Sequence, residues 1–382
     1  MIYYLNYGED MKEENVAKIL KKIRESKNLT QDEVASKLSL GRNAIVRIES
    51  GKRKVSASEL GQFEKLYNID LEDYISSSKK QEIKGIILAG GTGTRLYPIT
   101  EATSKQLVPV YDKPMIFYPL SVLMEANIKD ILIITTKEDQ ENFKRLLGNG
   151  TQFGIHLSYM VQPKPNGLAE AFILGEEFIG DSPCAMILGD NIYFGNGLEK
   201  ELSKAINNAI LGDATIFGYK VKDPERFGIM EIDEYNNVLS VEEKPLHPKS
   251  DYAITGLYFY PKGVSSLAKM VSPSKRGELE ITSLNELYLK QNKLKSRLLG
   301  DGYTWFDTGT FESLLDASNM IRTIENNKDT LICSPEIIGL NHKWLSLEEF
   351  SKRAILLNKN KYGQCLMKIA EKEIKKERTY KN

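Results

Sequence analysis

Cysteine and histidine are scarce, with three of each among 382 residues. Cys184, Cys333 and Cys365 stand far apart, which excludes a disulfide framework and the paired spacing of a zinc site. His156, His247 and His342 show no ligand spacing either. Net charge is absent too: 52 Lys and Arg balance 52 Asp and Glu, so the whole chain offers no basic field to nucleic acid or membrane. No apolar run approaches the roughly 18 residues of a membrane span, and the opening MIYYLNYGED lacks the basic start and apolar stretch of a signal peptide. These absences predict a cytoplasmic protein without a membrane partner. A helical pattern opens only at Met11, a second candidate start, so residues 1–14 are expected to be an extension.

What is present is ordinary for a folded protein, with 41% hydrophobic and 27% charged residues. The length predicts at least two domains. The polar stretch from Ser76 to Gln81 separates a helical pattern from a strand-like run and marks a boundary. The expected division is a helical domain over 15–76, a linker over 77–82, an α/β domain over 83–310 and a helical region over 311–382. From Met11 to Lys80 there are 15 Lys and Arg against 11 Asp and Glu, and from Gln81 onward 37 against 39, so the basic excess sits in the small part.

That part reads as helix throughout. Val16, Ile19, Leu20 and Ile23 recur at helical spacing, Thr30 and Glu33 form a capping box, and Ser39-Leu40-Gly41 breaks the pattern before a helix over Arg42 to Glu49. Two short helices around a tight glycine turn make a helix-turn-helix. Asn15 to Ile75 resembles the lambda-repressor/Cro-like helix-turn-helix family through LTQDEVASKL, GRNAIVRIESGKRKVS and YNIDLEDYI. The resemblance implies that Arg42, Asn43, Ala44 and Arg47 face the DNA major groove, with Gln31 and the Lys52-Arg53-Lys54 cluster at phosphates. The residues alone also allow a helical interaction module whose basic side chains are merely solvated.

From Ile83 onward, short apolar runs (Gly85 to Ala89, Ile131 to Thr135, Leu157 to Val161, Ala185 to Leu188, Thr215 to Tyr219) alternate with helical stretches. This predicts an α/β sheet wound in the Rossmann manner, with ligands beyond the carboxyl ends of its strands. The first strand runs into Gly90-Gly91-Thr92-Gly93-Thr94-Arg95, where backbone N–H groups can approach a polyphosphate and Arg95 can add a charged fork. The spacing fits neither a P-loop nor a dinucleotide fingerprint. Asp190, just after an apolar strand, is a candidate metal ligand, whereas Asp307 in Asp-Thr-Gly fits an ordinary turn equally well.

The run G-G-x-G-x-R-L, then S-K-Q-L and D-K-P-M-I, with L-G-D-N at 188–191, E-E-K-P at 242–245 and W-F-D-T-G-T at 305–310, resembles the sugar-nucleotide pyrophosphorylases, most closely the glucose-1-phosphate thymidylyltransferases. That resemblance implies a Mg²⁺-dependent reaction of dTTP with glucose 1-phosphate. Arg95 and Lys105 are then expected at the β- and γ-phosphates, and Asp190 and Asp307 at the metal. Lys244 and Arg276 belong at the sugar phosphate, and Asn191, Gly228, Glu243, Ile254 and Thr255 around the sugar. Leu88, Gly90, Gly91, Thr92, Gly93, Thr94, Gln106, Gln162 and Gly167 are expected to bind the nucleotide. Asn166 and Ser283 stand where the family more usually has aspartate. The resemblance also implies a homotetramer completed by the C-terminal region and a place in dTDP-rhamnose and polysaccharide synthesis. A sugar-nucleotide sensor that regulates transcription, or a uridylyltransferase, are the other readings.

Overall fold

The computed structural model describes residues 13–27, 29–67, 69, 82–91, 93–328 and 330–381. The expected extension through residue 12, the linker over 77–81 and the nucleotide-site candidate Thr92 lie outside the described residues. The chain separates into two compact units, Met1–Gln81 and Glu82–Asn382.

The first unit holds helices α1 (Glu13–Ser26), α2 (Gln31–Lys37), α3 (Arg42–Glu49) and α4 (Ala57–Tyr67). Their apolar stripes close on Leu20, Ile23, Val34, Ile45, Ile48, Phe63 and Tyr67, all buried. Thr30 and Glu33 form the capping box that starts α2. The turn between α2 and α3 departs from the glycine expectation. Ser39 takes the left-handed position (φ 54°), while Gly41 is extended (φ −72°) and precedes the first turn of α3. Between α1 and the end of α3, buried Arg24 is paired with Glu49 through Nε at 2.6 Å and Nη2 at 3.1 Å.

The second unit is built on a nine-stranded sheet. Its parallel centre consists of β1 (Lys84–Ala89), β4 (Asp130–Thr135), β5 (His156–Val161) and β6 (Cys184–Leu188), paired β5-β4-β1-β6. The antiparallel strand β11 (Tyr252–Tyr260) follows β6 and leads to β8 (Ala214–Lys220), β9 (Gly228–Ile232), β10 (Val238–Glu243) and β12 (Leu294–Leu299). Side chains alternate across the pleat. Ile87, Ile131, Ile133, Ala185 and Ile187 therefore enter one core, and Ile86, Leu88, Leu132, Ile134 and Met186 the other. Helices cover both faces, as parallel strands buried on two sides require.

Two smaller ribbons complete this unit. The hairpin β2 (Pro109–Val110) with β3 (Lys113–Pro114) follows the first strand, and β7 (Asn191–Gly195) pairs antiparallel with β13 (Tyr303–Asp307). Helices Phe311–Lys328, Pro335–Asn341, Leu347–Leu357 and Lys361–Lys381 end the chain. Glu325 of the first of them forms a buried ion pair with Lys113 at 3.0 Å, and Lys113 also pairs with Asp112 at 2.5 Å.

Candidate active site

The carboxyl end of β1 leads directly into the glycine loop. Gly91 (φ +109°) and Gly93 (φ +59°) use backbone conformations that favour glycine. The Thr100 hydroxyl donates to the Gly93 carbonyl at 2.7 Å and fixes the bend. A short turn, Thr94–Leu96, then carries Arg95, and a second, Lys105–Leu107, carries Lys105 and Gln106, both buried. Together they line a cavity of 270 Å³ walled by Gly90, Gly91, Gly93, Thr94, Arg95, Leu96, Lys105, Gln106, Asp190, Asp307 and Gly309.

A second cavity of 420 Å³ shares Arg95, Asp190 and Asp307 with the first. Asn191, Gly228, Glu243, Lys244 and Ile254 also line it, with Leu168, Leu188, Arg226, Phe227, Gly256, Tyr258, Ile281, Thr282 and Trp305. Two pockets meeting at one arginine and two aspartates can hold two ligands against a common centre.

The β7–β13 ribbon explains how distant aspartates come together. Its register places Asp307 opposite Asn191, the residue after Asp190. Thr308 completes the junction, its hydroxyl donating to the Asp190 carbonyl at 2.7 Å and its amide to the same oxygen at 3.3 Å. A side chain on Gly309 would begin 3.2 Å from Arg95 Nη1 and 3.3 Å from both Asp307 carboxylate oxygens, so Arg95 and Asp307 converge closely beside this glycine.

The pair is electrostatically divided. Burial pushes the Asp190 carboxyl upward, but Lys105 Nζ at 2.6 Å and the Asn191 amide at 2.9 Å hold it below the usual aspartate range. Asp307 is raised, first by burial and then by the Asp190 carboxylate, against the weaker pull of Lys105, Arg95 and Arg226. Two carboxylates in mutual repulsion at a cavity junction suit a hard cation with oxygen ligands. Among the described residues no group of three or more His, Cys, Asp or Glu gathers for a metal, so remaining ligands would have to come from substrate or water.

The sugar-side residues are held by networks that the motifs did not reveal. Trp305 Nε1 and the Gly256 amide both donate to Asn191 Oδ1, at 2.6 and 3.2 Å. This fixes the Asn191 amide with its nitrogen toward Asp190. Thr282 donates to Glu243 at 2.6 Å. Arg276 pairs with Glu280 at 2.9 Å and lies 3.5 Å from Glu243, next to the cavity rather than in its wall. Lys244 adopts φ 44°, a strained conformation for a non-glycine residue, with its Nζ 3.7 Å from Glu243.

Leu88, Gln162, Gly167 and Thr255 also lie outside the walls of these cavities. Leu88 is buried in β1, and Thr255 is fully buried. Gln162 nevertheless reaches the glycine loop, since a side chain on Gly90 would begin 3.4 Å from its Oε1. Its amide nitrogen donates to Glu170 at 2.7 Å and to the Gly167 carbonyl at 3.2 Å, and Asn166 donates to the other Glu170 oxygen at 2.7 Å. Gly167 (φ +107°) crosses the Leu279 backbone so closely that a side chain would begin 2.4 Å from its carbonyl oxygen.

In the N-terminal unit, α3 exposes Arg42, Asn43, Val46 and Arg47 and leaves Ala44 half-buried. Lys52 and Lys54 are exposed. Gln31 donates to Glu49 at 2.8 Å, and Arg53 pairs with Glu59 at 2.6 Å, so these two side chains have protein partners.

Comparison with known proteins agrees with both units. A family model for nucleotidyl transferases matches residues 84–324, and a helix-turn-helix model matches residues 20–74. Glucose-1-phosphate thymidylyltransferase of Neisseria gonorrhoeae is 54% identical over 290 residues, covering 76% of this chain and all of the relative. The enzyme of the same name from Mycobacterium tuberculosis (strain ATCC 25618 / H37Rv) is 47% identical over 290 residues, again 76% of this chain and all of the relative. A crystal structure of a Bacillus anthracis protein in complex with sucrose is 43% identical with a TM-score of 0.59, covering 63% of this chain and 95% of that one. A UDP-glucose pyrophosphorylase structure, 24% identical with a TM-score of 0.55 over 63% of this chain and 99% of that one, shares the fold. The chain therefore belongs to the glucose-1-phosphate thymidylyltransferase family, and it carries a helix-turn-helix unit ahead of the nucleotidyl transferase fold.

Proposed function

We propose that the chain converts dTTP and glucose 1-phosphate to dTDP-glucose and pyrophosphate. The observation that carries this reading is the pair of cavities meeting at Arg95, Asp190 and Asp307. In the reaction a phosphate oxygen of the sugar phosphate attacks the α-phosphorus of dTTP in line. The bond from that phosphorus to the bridging oxygen breaks, and pyrophosphate leaves. No protein nucleophile is needed, so the residues act by position and charge.

The nucleotide occupies the glycine-loop cavity, with Arg95 and Lys105 at its β- and γ-phosphates. Gln162 and the Gly167 backbone read the thymine edge, and Leu88 packs near the base or the deoxyribose. Glucose 1-phosphate occupies the larger cavity. Asn191, Glu243, Gly228 and the Ile254-Thr255 backbone hold its hydroxyls, while Lys244 and Arg276 hold its phosphate against the α-phosphorus. When bound to Asp190 and Asp307, Mg²⁺ supplies positive charge to the phosphate oxygens of both substrates. Lys105 is already the counter-charge of Asp190 at 2.6 Å, so substrate phosphates enter a site whose cations are in place.

The reading extends to a cytoplasmic homotetramer that feeds deoxysugar and polysaccharide synthesis. Exposed Phe311, Leu315, Ile355 and Leu356 on the C-terminal helices support a subunit contact. It also assigns duplex DNA to the N-terminal unit, supported by the helix-turn-helix match and the exposed Arg42, Asn43 and Arg47 of α3. The test is pyrophosphate release by the full-length protein with glucose 1-phosphate and Mg²⁺, using dTTP and UTP in parallel. Release with dTTP at a rate well above UTP is expected. Folded protein that releases none with either nucleotide refutes the enzymatic reading.

A further inference from the structure

The recognition-helix position of the N-terminal unit contains an apolar side chain that the core covers only in part. Ile45, Ile48 and Glu49 turn inward from α3 and are buried. Val46 turns outward and keeps 38% of its surface, and it is the single exposed large apolar side chain among the described residues of this unit. Side chains three and four apart share a helix face, so Val46 lies beside Asn43 and Arg42 and is followed by Arg47. A β-branched residue that keeps more than a third of its surface exposed draws less from the core than its buried neighbours Ile45 and Ile48, yet it still loses rotamer freedom in the helix. Isolated exposed hydrophobes are common on protein surfaces, but this one sits at the centre of a polar and basic stripe.

We propose that Val46 reads sequence by packing its methyl groups against the 5-methyl group of a thymine in the major groove of duplex DNA, between Arg42 and Arg47. The inference rests on the DNA-binding reading of this unit and adds a base to it. Thymine presents the one apolar feature among unmodified bases in that groove, whereas the other base edges offer donors and acceptors. Valine can satisfy neither, so placing it over an exocyclic amine or carbonyl would strip water from a polar group without replacing the hydrogen bond. The same stripe supplies the charge that DNA requires. Arg42 is held by an open ion pair to Asp32 at 3.4 Å, with both side chains about two-thirds exposed, and a nucleic acid can displace that contact. Lys52 and Lys54 follow the helix on the exposed surface.

The experiment begins by selecting bound duplexes from a randomised pool with the full-length protein. Each thymine of the selected site is then replaced in turn by deoxyuridine, which pairs identically and lacks only the methyl group. For the wild type, deoxyuridine at one thymine per half-site is expected to weaken binding about fourfold, the worth of one buried methyl group. Val46→Ala should bind the deoxyuridine duplex as the wild type does, which shows that the unit is folded, and should lose the preference for thymine. Uniform indifference of the wild type to deoxyuridine overturns the inference while leaving DNA binding intact, as does undiminished thymine preference in Val46→Ala. Failure to select any site, with binding that is uniform in sequence and lost with salt, overturns sequence-specific DNA binding and this inference with it.

Discussion

Lys105→Ala removes the ammonium group that holds Asp190 at 2.6 Å. Lys105 is 9% exposed at its side chain and Asp190 is 24% exposed, so the truncation leaves a largely buried carboxylate facing Asp307 without its nearest counter-charge. Breaking a buried pair in this way costs about 3 kcal/mol, an upper value here because Asp190 can relieve the repulsion by taking a proton. The sign with pH follows from the direction of the shift. A carboxyl held below its ordinary value contributes stability above about pH 4, and loses that contribution as pH falls through its native pKa. The stability difference between wild type and variant should therefore be full at neutral pH and shrink in acid, as read from urea midpoints across pH. For turnover, the proposed role of Lys105 is that of one preorganised charge at the departing pyrophosphate, and losing such a group lowers kcat about 10²–10³-fold. Pyrophosphate release measured under saturation, beside a circular dichroism spectrum that shows the variant folded, checks this. Unchanged kinetics in a folded Lys105→Ala protein would refute the phosphate role.

Other substitutions probe separate parts of the account. Trp305→Phe deprives Asn191 Oδ1 of its shorter donor, and the loss of one hydrogen bond, about 1–1.5 kcal/mol, should raise KM for glucose 1-phosphate about tenfold while KM for dTTP holds. Glu325→Ala leaves Lys113 buried with Asp112 alone and the Tyr118 and Tyr362 rings nearby. A cost of about 3 kcal/mol should lower the melting temperature of the nucleotidyl transferase unit by roughly 5 °C, visible by calorimetry. On the proposed division of roles between the two compact units, Arg47→Ala should abolish selective DNA retention in a gel shift and leave pyrophosphate release at the wild-type rate.

Much of this architecture was legible because local pattern and tertiary role coincide. The continuous apolar run around Ile86 and Ile87 fits a strand with two buried faces, and the glycine loop follows it immediately. Thr30 and Glu33 show the start of α2 because a capping box is local chemistry. Other parts depended on contacts that sequence spacing does not encode. Trp305 and Asn191 meet only through the β7–β13 register, so the indole reads simply as another aromatic in a strand. Gly309 stands in an Asp-Thr-Gly run that fits any turn, and its closeness to Arg95 and Asp307 appears only in the fold. Ser39 took the left-handed turn position that composition suggested for Gly41, since an adjacent glycine draws attention whether or not it bears the strain. On α3, the family resemblance pointed to Arg42, Asn43, Ala44 and Arg47, but the degree to which Val46 stands clear of the core depends on how α3 packs against its neighbours.

The most direct test of the central claim is ³¹P NMR of full-length protein with dTTP, glucose 1-phosphate and Mg²⁺, compared with Asp190→Asn and Asp307→Asn. The account predicts equimolar pyrophosphate and a nucleoside diphosphate sugar with the wild type. Both variants should retain dTTP binding by calorimetry and form product at least a hundredfold more slowly, an order of magnitude typical of losing one preorganised electrostatic group. Wild-type spectra in which dTTP and glucose 1-phosphate persist unchanged, or variants that turn over at the wild-type rate, would contradict a reaction centred where the two cavities meet.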